Sequence, residues 1–385
     1  MKKEGGFTKA LVFILTFILG ICCVLFIVPL VDLFIEAFDN RPIGRLLLGL
    51  LVFALIVVSI IVNTILHEAG HLVCGLISKY KFSSFRIFSL CFVKTEGKVK
   101  VKKFSVPGTM GQCLMLPPVK NENGDFPYKL YNLGGTLFNL ITALICGVLI
   151  IFFNSNAFAL AILGIILTFA LILAINNGIP LRTALIQNDG QNIKDIAKSK
   201  DALTAFYHQL VIAEAQSRNE KISEMPSEWF EIPDGEALNN PIVSTIAVLK
   251  SSRLMEEGDF YNAHILMREI LAKAPTLLGI YKNLLPLEVI YLDTVHGWDN
   301  TESIKARFKK QEKFAKAMQK NISVQRILYT VTLLCYGDEK KANKHLDLFE
   351  KFAKKFPYPQ ELEQERKLIG IAREAYNNRN QTINN

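Results

Sequence analysis

In the segment NTILHEAGHLVCGL, from Asn63 to Leu76, His67 and His71 stand four positions apart, with Glu68 beside the first. On a helix that spacing puts both imidazoles on one face, one turn apart, so a single cation can be held between them. Glu68 is then close enough to take a proton from a water at that cation, which is the arrangement of metal-assisted hydrolysis. The setting sharpens the point, because the residues from Leu46 to Leu66 carry no charge. Ionisable side chains in such an apolar run are costly unless they have a task. A buried structural network of histidine and glutamate is the alternative reading.

Two histidines leave the ligand set incomplete, since a catalytic zinc normally takes three protein ligands and keeps one position open. The third ligand is expected near the end of another apolar run. Past the fourth run the chain reads NNGIPLRTALIQNDG, residues 176–190, and Asp189, followed by Gly190, is the candidate. Asp234 and Gly235 form a second such pair, but in a loop with Pro226 and Pro233 far from any apolar run, and they rank below it.

The elements that must position these residues are membrane spans. Half of the 385 residues are hydrophobic, with long uncharged runs at Ala10 to Val31, Leu46 to Leu66, Leu130 to Phe153 and Ala157 to Ile175. A bilayer crossing takes about 20 such residues, so the chain reads as an α-helical multi-pass membrane protein with spans over 10–31, 46–77, 130–153 and 157–176. The first run exceeds a signal-peptide core of about 7–15 residues and lacks a small-x-small cleavage site, so it reads as an anchor.

Charge orients the spans. Residues 79–129 hold ten Lys or Arg against Glu96, Glu122 and Asp125, which predicts a cytoplasmic loop. The basic amino terminus belongs on the same side, and an even number of spans returns the carboxyl-terminal half to the cytoplasm. The net charge of +9 is mostly this topology signal, because residues 1–188 hold 16 basic and 8 acidic side chains. A nucleic-acid partner is therefore not expected, whereas a lipid bilayer is. Seven cysteines without CxxC spacing predict free thiols, with neither a disulfide framework nor a zinc ribbon.

The HExxH of residues 67–71 within a span, the GxxxN of Gly135 to Asn139 in the third span, and the NxxP of Asn177 to Pro180 followed by Asp189 and Gly190 together resemble the site-2 protease family of intramembrane zinc metalloproteases. The resemblance covers roughly residues 45–190. It implies that His67, His71 and Asp189 bind Zn2+, that Glu68 is the general base, and that Asn139 and Asn177, with Gly135 in the same motif, line the substrate cleft. Two features depart from the family pattern: Asp189 lies nine residues beyond Pro180 instead of about five, and Gln191 stands where a second glycine is common.

Between the second and third spans, FRIFSLCFV (85–93) and EGKVKVKKF (96–104) read as two strands around Gly97. Such a hairpin would either add a strand to an extended substrate or lie on lipid through its lysines. PGTMGQCLMLPP (107–118) reads as an irregular loop, re-entrant against the protein. The whole connection is too short for an inserted PDZ domain.

Residues 191–385 form a charged, helix-patterned half, read as a domain separate from the membrane domain at 1–190. The stretch 258–275, with Gly258, Phe260, Ala263, Met267 and Pro275, resembles part of a tetratricopeptide repeat, and 337–357 is a weaker echo. The expectation is an all-α, TPR-like stack of helical hairpins, serving either as a peptide- or protein-binding groove or as a plain cap. His208, His264, His296 and His345 show no ligand spacing.

The combined expectation is a cell-membrane zinc metalloendopeptidase that cuts membrane-anchored peptides or proteins near the cytoplasmic face. A catalytically silent scaffold is the alternative, and nothing in binding alone would require Glu68. A transporter would want polar groups spread over several spans near the midplane, whereas here they cluster at one end of one span.

Overall fold

The computed structural model describes residues 2–95, 97–103, 108–183, 185–233 and 235–384. Asp234, the lower-ranked acid, lies outside them, as do Glu96 and Pro107. The chain divides into two compact units, the first built from Met1–Ile87, Met110–Thr183 and Gln187–Lys194, the second from Phe88–Thr109, Ala184–Ile186 and Asp195–Asn385.

The first unit contains four long apolar helices, α1 (Lys2–Phe38), α2 (Pro42–Ile77), α3 (Tyr128–Phe153) and α4 (Ala157–Gly178), all long and apolar enough to cross a membrane. Their outer faces are apolar and exposed, with Phe13, Phe17, Phe53, Leu144 and Phe152 pointing away from the bundle, while Ser59, Asn63, Thr64, Asn139 and Thr168 are buried inside it. That inverted pattern fits a hydrocarbon solvent, in which polar groups must find partners within the protein. The donors do: Asn63 Nδ2 donates to Ser59 O (3.0 Å) and Ile166 O (3.1 Å), and Ser59 Oγ donates to Ile165 O (3.3 Å).

α1 and α2 are joined by Asp39 and Asn40, both with positive φ, a conformation that these residue types tolerate better than most. Pro42 then opens α2 at the one place where its missing N–H costs nothing. α3 packs on both α2 and α4, and α1 packs on α4.

Four strands follow α2: β1 (Lys81–Ile87), β2 (Leu90–Thr95), β3 (Lys98–Lys103) and β4 (Gly111–Leu116). The stretch 85–93 is not one strand. Phe88 takes a positive φ of 51° and ends β1, and the strand expected there resumes as β2. The 107–118 segment is likewise not wholly irregular, since 111–116 forms β4, antiparallel to β1 from Lys81↔Leu116 to Ile87↔Gly111. The short apolar run between a glycine and two prolines resembles a loop by composition but satisfies its backbone as a strand.

In the second unit, β2 and β3 form the hairpin expected around Gly97, which has φ +77°. The rest is helical: α6 (Lys200–Ser217), α7 (Pro241–Glu257), α8 (Phe260–Lys273), α9 (Gly279–His296), α10 (Thr301–Ala317), α11 (Ile322–Tyr336), α12 (Glu339–Ala353) and α13 (Pro359–Asn384), preceded by the short α5 (Asp189–Ile196), which begins in the first unit. From α7 to α12 each helix packs on the next, and α13 lies on α9 and α11. Gly258 and Gly337 cap α7 and α11 in the left-handed region, and the aspartates after them, Asp259 and Asp338, cap α8 and α12 through their side chains. The starts of the stretches 258–275 and 337–357 are thus the same device, a glycine stop followed by an aspartate start. Arg326 on α11 is buried between Glu288 of α9 and Glu365 of α13 at 2.7 Å from each, and its guanidinium lies over the Tyr291 ring.

Candidate metal centre

The site is set by a close helix crossing. α2 and α3 touch backbone to backbone at Gly70 and Gly134, where an added Cβ on either would overlap the carbonyl of the other. Small residues permit this approach. It brings the face of α2 that carries His67 and His71 onto the start of α3. Gly135 completes the fit, because a side chain there would occupy the place of the His67 imidazole.

Each histidine is oriented from behind. His67 Nδ1 lies 2.7 Å from Asn139 Oδ1, and His71 Nδ1 lies 2.8 Å from the Tyr131 carbonyl. Acceptors at both Nδ1 atoms select the tautomer whose Nε2 is free to ligate. The two Nε2 atoms are 3.3 Å apart.

Asp189 reaches the same point from the far end of the unit. Its Oδ2 is 3.2 Å from His67 Nε2 and 3.3 Å from His71 Nε2, and this buried oxygen accepts no hydrogen bond among the described residues. Burial alone would raise the Asp189 carboxyl, but His71 and His67 beside it hold it below the usual carboxylate range, so it stays anionic. The three atoms form a nearly equilateral triangle. Ligands of a tetrahedral ion with bonds of about 2.0–2.1 Å stand about 3.3 Å from one another, so the donor set and its spacing fit zinc.

The long gap between Pro180 and Asp189 has a structural account. Arg182 and Gln187 pair across an antiparallel bridge, which brings the two ends of the added length together. Asn188 closes the excursion: Nδ2 donates to the carbonyls of Asn176 (2.5 Å) and Ile179 (2.6 Å), and Oδ1 accepts from Leu181 N (2.9 Å). Gly190 then packs on the carbonyl of Gly178, an approach that a Cβ would block. Asp189 is therefore delivered to the end of α4 despite the insertion.

Compared with models of protein families, with curated proteins and with solved structures, the chain gives no match. The chemistry of the centre rests on its own geometry.

Glu68 is buried beside the histidines, near enough for its charge to couple with those of His71, His67 and Asp189. Its carboxylate packs on the backbone of Gly111 at the start of β4, where any side chain would overlap it. β4 is held there by Tyr131, whose hydroxyl donates to Cys113 O (2.6 Å), and by buried Arg86, whose Nη2 donates to Gly111 O (3.2 Å).

Of the residues singled out by sequence, His67, His71, Asp189 and Glu68 come together with Asn139 and Gly135. Asn139 is wholly buried and engaged on both sides, its Nδ2 donating to Asn63 O (3.2 Å), which is the geometry of a positioning residue. The Asn177 side chain turns back to donate to Leu173 O (3.0 Å). Sequence reasoning missed Tyr131, Asn188, Arg86 and Gly111. Only Gly111 gave a signal, as a glycine beside an apolar run.

Proposed function

We propose that the chain is an intramembrane zinc metalloprotease that hydrolyses peptide bonds of membrane-anchored peptides or proteins. The observation that carries this reading is the triangle of His67 Nε2, His71 Nε2 and Asp189 Oδ2 at 3.2–3.3 Å, within the apolar helical bundle. Bound there, a zinc ion would supply the Lewis acid that polarises the scissile carbonyl and lowers the pKa of water towards about 7. Glu68 takes the proton of the attacking water as its oxygen bonds to the carbonyl carbon. It returns that proton to the nitrogen as the C–N bond breaks, leaving a carboxyl and an amine. Asn139 and the Tyr131 carbonyl hold the imidazoles in the ligating tautomer throughout.

The excess of lysine and arginine in residues 79–129 supports placing that loop, the ligand end of α2 and the carboxyl-terminal half in the cytoplasm. The paired glycine and aspartate junctions at Gly258–Asp259 and Gly337–Asp338 support reading the helical half as a TPR-like stack that holds a peptide or protein partner.

The test is metal content. Purified His67→Ala, His71→Ala and Asp189→Ala proteins should each lose zinc, and Asp234→Ala should keep it. Retention of stoichiometric zinc by Asp189→Ala would contradict the ligand set. Comparing membrane proteomes of cells that carry the wild type or Glu68→Gln should reveal an accumulating substrate; full complementation by Glu68→Gln would favour the scaffold.

A further inference from the structure

The β2–β3 hairpin carries none of the residues assigned to the metal centre, yet its composition is far from neutral. Its register pairs Leu90 with Lys103, Phe92 with Val101, Lys94 with Val99, and, on the opposite face, Cys91 with Lys102 and Val93 with Lys100. Alternation therefore separates two faces. Cys91 and Val93 are buried, β2 packs on α6, and the Lys102 ammonium bonds the Pro357 carbonyl, so one face belongs to the interior of the second unit.

The other face is apolar and open. Leu90 is 46% exposed, Val99 57% and Val101 61%, with Phe88 at the end of the hairpin 39% exposed. Lys94 and Lys103 bracket these side chains on the same face, while Lys98 and Lys100 project from the opposite one. Exposed valines on a short lysine-rich strand do not serve solubility; the lysines alone would do that.

We propose that this face docks on an anionic lipid bilayer, its valines, leucine and phenylalanine entering the interface while the lysines meet acidic headgroups. Charge complementarity selects the occupant, because every charged side chain described on β2 and β3 is a lysine. The chain path agrees with it. The hairpin lies in the connection between α2, which ends at Ile77, and α3, which begins at Tyr128, and both helices are long and apolar enough to cross a membrane. Both ends of the connection are therefore tied to a bilayer on one side. Apolar insertion and electrostatic attraction act together in such interfacial anchors, with the lysine stems lying along the apolar surface. The proposal is independent of the proteolytic reading.

The test uses the full-length chain with its two native tryptophans replaced, W229F and W298F, and Val101→Trp as the reporter. It is reconstituted into phosphatidylcholine bilayers with and without phosphatidylglycerol. The V101W indole should shift to the blue and be quenched by lipids brominated in the acyl chain when phosphatidylglycerol is present, and the quenching should be lost with Lys94→Gln and Lys103→Gln. Neutralisation is preferred to reversal because Lys94 also acts on Glu214. Three results would overturn the proposal: an indole equally open to aqueous iodide in both bilayers, bromolipid quenching indifferent to phosphatidylglycerol and to the lysines, or protection from iodide without bromolipid quenching, which would assign the face to a protein contact. Unchanged circular dichroism of the variants excludes misfolding as the cause.

Discussion

His67 Nδ1 stands 2.7 Å from Asn139 Oδ1, so a residue on the third apolar helix fixes the ring orientation of a candidate ligand on the second. The contact is buried, with Asn139 wholly enclosed.

Asn139→Ala removes the acceptor and leaves the imidazole free to turn or change tautomer. Partners of this kind typically change metal affinity by 10–100-fold, and a loss of that size is expected in a zinc competition titration. Asn139→Asp keeps an acceptor for Nδ1 but sets a carboxylate oxygen against the Asn63 carbonyl where Nδ2 had donated, so it should lose less zinc affinity than Asn139→Ala while costing more stability. Equal affinity for wild type and Asn139→Ala would show that the contact does not orient the ligand.

Gly111→Ala acts on the base and not on the ligands. Its methyl would overlap the Glu68 carboxylate, which must move. A displacement of about 1 Å at a reacting group can lower the rate on the order of 10²-fold. The expected result is full zinc occupancy with slowed peptide hydrolysis. Loss of zinc together with activity would mean that β4 supports the ligands themselves.

Much of this arrangement was legible in the sequence. Four uncharged runs foretold the four helices because length and apolarity alone decide whether a segment can lie in lipid. The separation of His67 and His71 foretold a shared face because helical geometry is local. The glycines that open the stretches 258–275 and 337–357 stand at real helix junctions for the same reason. What stayed hidden depends on contacts distant along the chain. Phe88 has no turn propensity, yet its positive φ breaks the expected strand, and β4 draws its stability from pairing with β1 and packing on α2. Asn188 reads as an ordinary loop residue until the folded loop puts the carbonyls of Asn176 and Ile179 in reach of its amide.

In the helical half, Arg326→Ala should be strongly destabilising, because it leaves Glu288 and Glu365 facing each other without their shared cation. Breaking a buried ion cluster from one side costs about 3–5 kcal/mol. Hydrogen exchange should show the loss first in α9, α11 and α13, the helices that the cluster joins. An effect below about 1 kcal/mol, the scale of an exposed pair, would show that the cluster is hydrated and does little for stability.

The central claim is that the chain cuts peptide bonds with Glu68 as its base, and the most direct measurement is hydrolysis of membrane-anchored peptides by purified, zinc-replete Glu68→Gln beside the wild type. Glutamine keeps the shape and can still hydrogen-bond to water, but it cannot take up a proton at neutral pH. General acid and base catalysis is typically worth 10²–10⁴-fold, so with equal zinc in both proteins the variant should lose at least that much in rate. Cleavage at the wild-type rate by zinc-loaded Glu68→Gln would contradict the account.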